Sequence, residues 1–192
     1  MLSRSNLPLV RQMGVAVGIA AVLLLAGCSD SSAPRSVITV LSVNDNDALS
    51  SDIVNYGSDG IGGTADDFVF EDRVSVSLRS ADHDGVVDIF QNGPYGYVFI
   101  DSYRIHFESD EEIPEVNGSL AWSVPAHADF QGNLPVVPAS LKSEAPLSSL
   151  LGGGEILATA HITLRGHEQT SNAPIKIETT LPVHFANWVD PN

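Results

Sequence analysis

The chain of 192 residues is short of several things, and each shortage narrows what it can be. Cysteine occurs once, at Cys28, so no disulfide can form within the chain. Basic residues are scarce: 9 Lys and Arg stand against 24 Asp and Glu, a formal net charge of −15 at pH 7. A body this acidic repels phosphate backbones and anionic headgroups, which argues against nucleic acid as a partner. Cations and basic partners suit it, and acidity is also a plain device for solubility. The one long apolar run, residues 14–25, is too short to span a ~30 Å hydrocarbon core as a helix. Catalytic signatures are missing too: there is no G-x-S-x-G, no H-E-x-x-H, no phosphate-binding loop and no dinucleotide fingerprint. The Gly152-Gly153-Gly154-Glu155 run is not followed by Lys-Ser or Lys-Thr and reads as a loop.

What is present begins with that apolar run. Arg4 and Arg11 precede it, and it ends in Leu25-Ala26-Gly27-Cys28. Charge, length and small residues before the end are the pattern of a secretory leader. The last four residues resemble the lipobox of bacterial lipoproteins. That resemblance implies cleavage of residues 1–27, diacylglycerol in thioether linkage to Cys28, and acylation (palmitate) of the new amino terminus. The membrane would then be a partner through lipid, each buried methylene contributing about 0.8 kcal/mol. Ser29 rather than Asp after the cysteine resembles lipoproteins forwarded to the outer membrane. Residues 28–35 form a short polar tether, leaving residues 36–192 as one domain, enough for a sizeable core without staples.

That domain reads as strands. Residues 37–43 are a β-branched run, and residues 44–67 a long Asp-, Asn-, Ser- and Gly-rich loop. Apolar and polar residues alternate through 68–80, 97–108, 155–165 and 175–185, the last two expected as a terminal hairpin. A shorter strand around Leu120, Trp122 and Val124 follows an expected Asn117-Gly118 turn. Residues 132–141, broken by Pro135 and Pro138, suggest an edge strand, and Pro182 a further guard against edge pairing. Residues 146–151 suggest a helical turn. About seven short strands and no amphipathic helix predict an all-β, antiparallel β-sandwich, immunoglobulin-like in topology. Bacterial lipoproteins with one such domain are similar in plan.

Two Asp-Gly stretches are the candidate metal sites. Residues 58–67, SDGIGGTADD, resemble the calcium loops of bacterial surface proteins, with Asp59, Asp66 and Asp67 as ligands. Residues 82–88 offer Asp82, Asp84 and Asp88 in a spacing similar to calcium half-loops of thrombospondin type 3 and dockerin repeats, without the closing acid of a full EF-hand. Ordinary turn chemistry uses the same residues. The two stretches flank one strand, so a shared site is not expected. His106, His161 and His184 fall on polar strand faces but, with His161 placed opposite Glu178, read as solitary.

The expectation for function is a lipid-anchored, non-catalytic binding, adhesion or assembly module with a protein or glycan partner, Ca²⁺ being its one candidate cofactor. The alternatives are a small envelope hydrolase using Asp110, Glu111, Glu112 and Glu115, and a structural subunit of an envelope complex. A contiguous acidic run is more often a solvated loop. Trp122 is expected in the core and Trp188 in C-terminal packing.

Overall fold

Alternation of side chains decides most of the architecture. In the strand carrying Arg73, Val74, Ser75, Val76, Ser77 and Leu78, the three apolar residues are 2%, 0% and 0% exposed while the polar ones face out. The computed structural model describes residues 34–58, 60, 62–82 and 97–188. Its strands are β1 (Ser36–Val43), β2 (Leu49–Asp52), β3 (Asp72–Asp82), β4 (Val98–Glu108), β5 (Val116–Val124), β6 (Asp129–Val137), β7 (Glu155–Glu168) and β8 (Pro174–Ala186). A single helical turn, α1 (Ala139–Lys142), and a 3-10 segment, Leu147–Gly152, follow β6.

The strands form two sheets, in the orders β1-β3-β6 and β2-β8-β7-β4-β5. Their inner faces pack into one core that includes Leu78, Ile100, Ile105, Leu134, Leu164 and Phe185. Phe107 of β4 meets Phe185 of β8 edge-on, with centroids 5.8 Å apart. The molecule is thus an all-β sandwich.

Several local expectations need correction. The stretch expected as one loop, residues 44–67, contains β2, which runs parallel to β8 while the other pairings are antiparallel. Its inward residues are Leu49 and Ser51, and a buried serine hides the alternation that marks a strand. The strand expected from residue 68 starts at Asp72 and continues to Asp82, Phe68 forming only an isolated bridge with Asn55. Asn117-Gly118 lies inside β5 rather than in a turn, because Gly118 makes room for a ring: a Cβ there would sit 2.3 Å from Tyr103 Cε1.

The expected edge strand, β6, does lie at the edge of its sheet and carries Pro135, but it stops at Val137 before α1. The β7–β8 hairpin forms as expected, with His161 opposite Thr180 rather than Glu178. Pro182 stands one residue before β2 begins to cover the outer edge of β8.

Candidate functional site

The first Asp-Gly stretch lies between β2 and β3. Reciprocal backbone hydrogen bonds between Asn55 and Phe68, both 2.8 Å, close its base. Gly57, Gly60 and Gly63 take φ of 66°, 64° and 86°, conformations that glycine adopts without a Cβ clash. Asp66 Oδ2 accepts from the Ser58 amide at 3.0 Å and its hydroxyl at 3.2 Å, and Oδ1 from Thr64 Oγ1 at 2.7 Å. Asp67 Oδ2 accepts from the Gly63 amide at 2.6 Å. The Thr64 hydroxyl, followed by the Ser58 amide, holds the Asp66 carboxyl below its ordinary value. The loop therefore brings two of its three expected carboxylates together around its own donors. Asp59 lies outside the described residues.

At the other end of β3, Asp82 Oδ2 is 3.1 Å from His127 Nε2. Asp84 and Asp88 lie outside the described residues. β3 spans about 33 Å from Asp72 to Asp82, which puts Asp82 at the far end of the strand from the loop that holds Asp66 and Asp67. Among the described residues no three His, Cys, Asp or Glu side chains stand as a ready-made metal site.

The outer face of the larger sheet holds what sequence reasoning missed. His106 and His161 are directly opposite across β4 and β7, with ring centroids 6.3 Å apart. They are neighbours, not solitary residues. His161 Nε2 lies 2.8 Å from Glu108 Oε2, His184 Nε2 2.8 Å from Glu155 Oε2, and His167 Nδ1 3.4 Å from Asp101 Oδ2. Trp188 packs edge-on against His184 at 5.2 Å. His184 is opposite Leu157, well along the ladder from His161.

The acidic run forms the β4–β5 connection. Buried Ile113 pins it to the core while Asp110, Glu111 and Glu112 point to water. Glu115 is held by Arg104 Nη2 at 2.5 Å and by Asn117 Nδ2 at 2.9 Å, and the Arg104 hydrogen bond keeps its carboxyl below the usual range. The connection borders a surface depression of ≈ 670 Å³ whose rim includes His106, Glu108, Asp110 and Glu115.

Two further features had no sequence signal. Lys142 is 2% exposed, its Nζ 2.9 Å from Asp72 Oδ2 and 2.6 Å from the Asp52 carbonyl oxygen. Ser51 Oγ donates to the same Asp72 oxygen at 2.5 Å, so the network ties α1 to β2 and β3. Phe68 and Phe70 are 50% and 59% exposed with centroids 5.8 Å apart, and Val69 between them is also exposed. Trp122, expected in the core, is only partly buried and packs against Phe130 at 5.5 Å. Against known proteins, the chain matches no protein-family model and has no significant match among curated proteins.

Proposed function

We propose that this chain is a non-catalytic binding or assembly module held at the bacterial cell envelope, at the outer membrane, by lipid on Cys28. The anchor rests on the Leu25-Ala26-Gly27-Cys28 lipobox and its leader. The binding role rests on one observation above the rest: the exposed Phe68-Val69-Phe70 patch beside the Asp-Gly loop. Aromatic surface left in water beside a hydrogen-bonded loop fits capture of a protein or glycan partner. The sandwich is read as immunoglobulin-like. In that scheme β1, β3 and β6 take the places of A, B and E, and β8-β7-β4-β5 those of G, F, C and C′.

Labelled palmitate supplied to cells expressing the full chain tests the anchor. Incorporation that disappears in Cys28→Ser is expected; equal labelling of both forms would sink the assignment. For the patch, crosslinking in intact envelopes should recover a partner with the native chain and lose it with Phe68→Ser/Phe70→Ser.

Calcium is the cation the two Asp-Gly stretches would take, at Asp59, Asp66 and Asp67 or at Asp82, Asp84 and Asp88. Occupation at about 100 times the Kd adds about 2.7 kcal/mol to stability, so millimolar Ca²⁺ should raise the unfolding midpoint over EDTA while Mg²⁺ does not. A rise lost on Asp66→Ala would identify the loop before β3, and no rise would leave both stretches as turns.

The β4–β5 depression favours a second reading, a small envelope hydrolase, because carboxylates and His106 share one concavity. Loss of a hydrolytic activity in Glu111→Gln or Glu112→Gln, with the fold intact, would favour it. Co-purification of the full chain in a stable envelope complex would favour a structural subunit.

A further inference from the structure

We propose that the imidazoles of His106 and His161, with the carboxylate of Glu108, form a surface site for a divalent transition-metal ion, Zn²⁺ foremost. The backbone places all three groups. His106 and Glu108 are two residues apart on β4 and so share a face, and His161 is directly opposite His106 on β7. Neither strand is an edge: β4 lies between β7 and β5, and β7 between β8 and β4, so hydrogen bonds on both sides fix the Cα positions.

Distances decide whether one ion can reach all three. Two imidazoles on a tetrahedral zinc, with bonds of about 2.0 Å, have centroids about 5 Å apart. The present separation is 6.3 Å with the rings 31° from parallel, about 1 Å more than that geometry requires. A zinc bridging nitrogen and carboxylate oxygen holds them about 3.3 Å apart. His161 Nε2 and Glu108 Oε2 are now 2.8 Å apart, so about half an ångström of opening admits the ion between groups already aimed at each other.

As they stand the three groups are not a ready-made triad, and none exists elsewhere among the described residues. The side chains of His161 and Glu108 are 45% and 74% exposed, which leaves them free to rearrange and leaves a fourth position to water. Asp110, on the rim of the adjoining depression, adds negative charge that favours a cation, whereas the charge of Glu115 is already answered by Arg104. Two nitrogens and one oxygen select a borderline metal over Ca²⁺ or Mg²⁺, which take oxygen. The proposal stands independently of the lipid anchor and the calcium reading.

The test uses the full chain in detergent, with Cys28→Ser as background to remove any thiol ligand, stripped with EDTA and dialysed. Added Co²⁺ should give the visible absorption of a four-coordinate centre, displaced by Zn²⁺ and unaffected by millimolar Ca²⁺. His106→Ala and His161→Ala should each weaken Zn²⁺ binding at least tenfold in calorimetric titration. His184→Ala, on the same face, should leave it unchanged. Equal affinity in the native and His161→Ala forms, displacement by Ca²⁺, or no heat at micromolar Zn²⁺ would each overturn the site.

Discussion

Lys142 carries an ammonium into the interior, and its partners explain why it can stay there. Asp72 and the Asp52 carbonyl take its donors, and Ser51 takes part of the remaining capacity of Asp72. Removing one member of a buried pair leaves the other charged in a poor solvent, which costs about 3–5 kcal/mol. Asp72 is 18% exposed, so Lys142→Ala should fall at the lower end, read as a drop in the denaturant midpoint with little change in slope. Gly166 is under a different constraint. A Cβ there would lie 1.8 Å from the Phe99 carbonyl oxygen, where the β4–β7 register shifts between Ile100 and Ser102. Backbone cannot step aside as a side chain can, so Gly166→Ala should exceed the ~1–3 kcal/mol usual for overpacking. Gly118→Ala meets the Tyr103 side chain first, not backbone, and should be milder, a ranking thermal unfolding of the two variants will check. Neither Lys142 nor Gly166 was legible in the sequence. Each owes its role to a residue far along the chain, and a one-dimensional pattern holds no register.

The strands were largely legible as elements because burial of one face forces a period of two, clearest in β3, β4, β7 and β8. The short ones escaped. β2 has four residues, and the turn before it bends by left-handed backbone rather than glycine: Asn44, Asp45 and Asn46 take φ of 50°, 54° and 70°. Asn44 Nδ2 supports it, donating to the carbonyl oxygens of Asp47 and Ala48 at 3.1 Å each. A left-handed L residue costs about 1–2 kcal/mol, so Asp45→Gly should relieve part of that and raise the unfolding midpoint slightly, whereas Asp45→Val should lower it. The Asp-Gly loop responds to pH through Asp66. Its carboxyl is lowered from 3.8 in the folded chain, so its contribution to loop order is complete above that value and lost as pH falls through the lowered one. Amide exchange at Ser58, which donates to Asp66, should quicken over that acid range relative to Asn55, whose donor goes to backbone. Equal acceleration at both amides would mean that the whole loop, rather than the carboxylate cap, is opening. The candidate histidine site was illegible for the same reason as Gly166: β4 and β7 pair across an intervening stretch that contains β5, β6 and α1.

For the molecule as a whole, charge and the proposed anchor pull in opposite directions. A chain of net charge −15 gains nothing from anionic headgroups, so under the proposed function any retention on membranes would come from apolar lipid rather than ion pairing. One acyl chain binds only marginally, and two or more hold stably. The native protein should therefore stay with membranes through a wash in molar salt, which strips proteins held by charge because the Debye length falls to about 3 Å at 1 M. Cys28→Ser should release it to the soluble fraction at any ionic strength. Its unfolding midpoint in detergent-free buffer should match that of the native chain in mild detergent, since β1 starts at Ser36, several residues beyond the proposed anchor. The comparison separates two ways of losing the membrane. Release with an unchanged midpoint places the defect in the lipid, whereas release with a lowered midpoint places it in the sandwich. Retention of Cys28→Ser after the salt wash would mean that something other than lipid on residue 28 holds the membrane, either the apolar run 14–25 left uncleaved or the exposed Phe68 and Phe70.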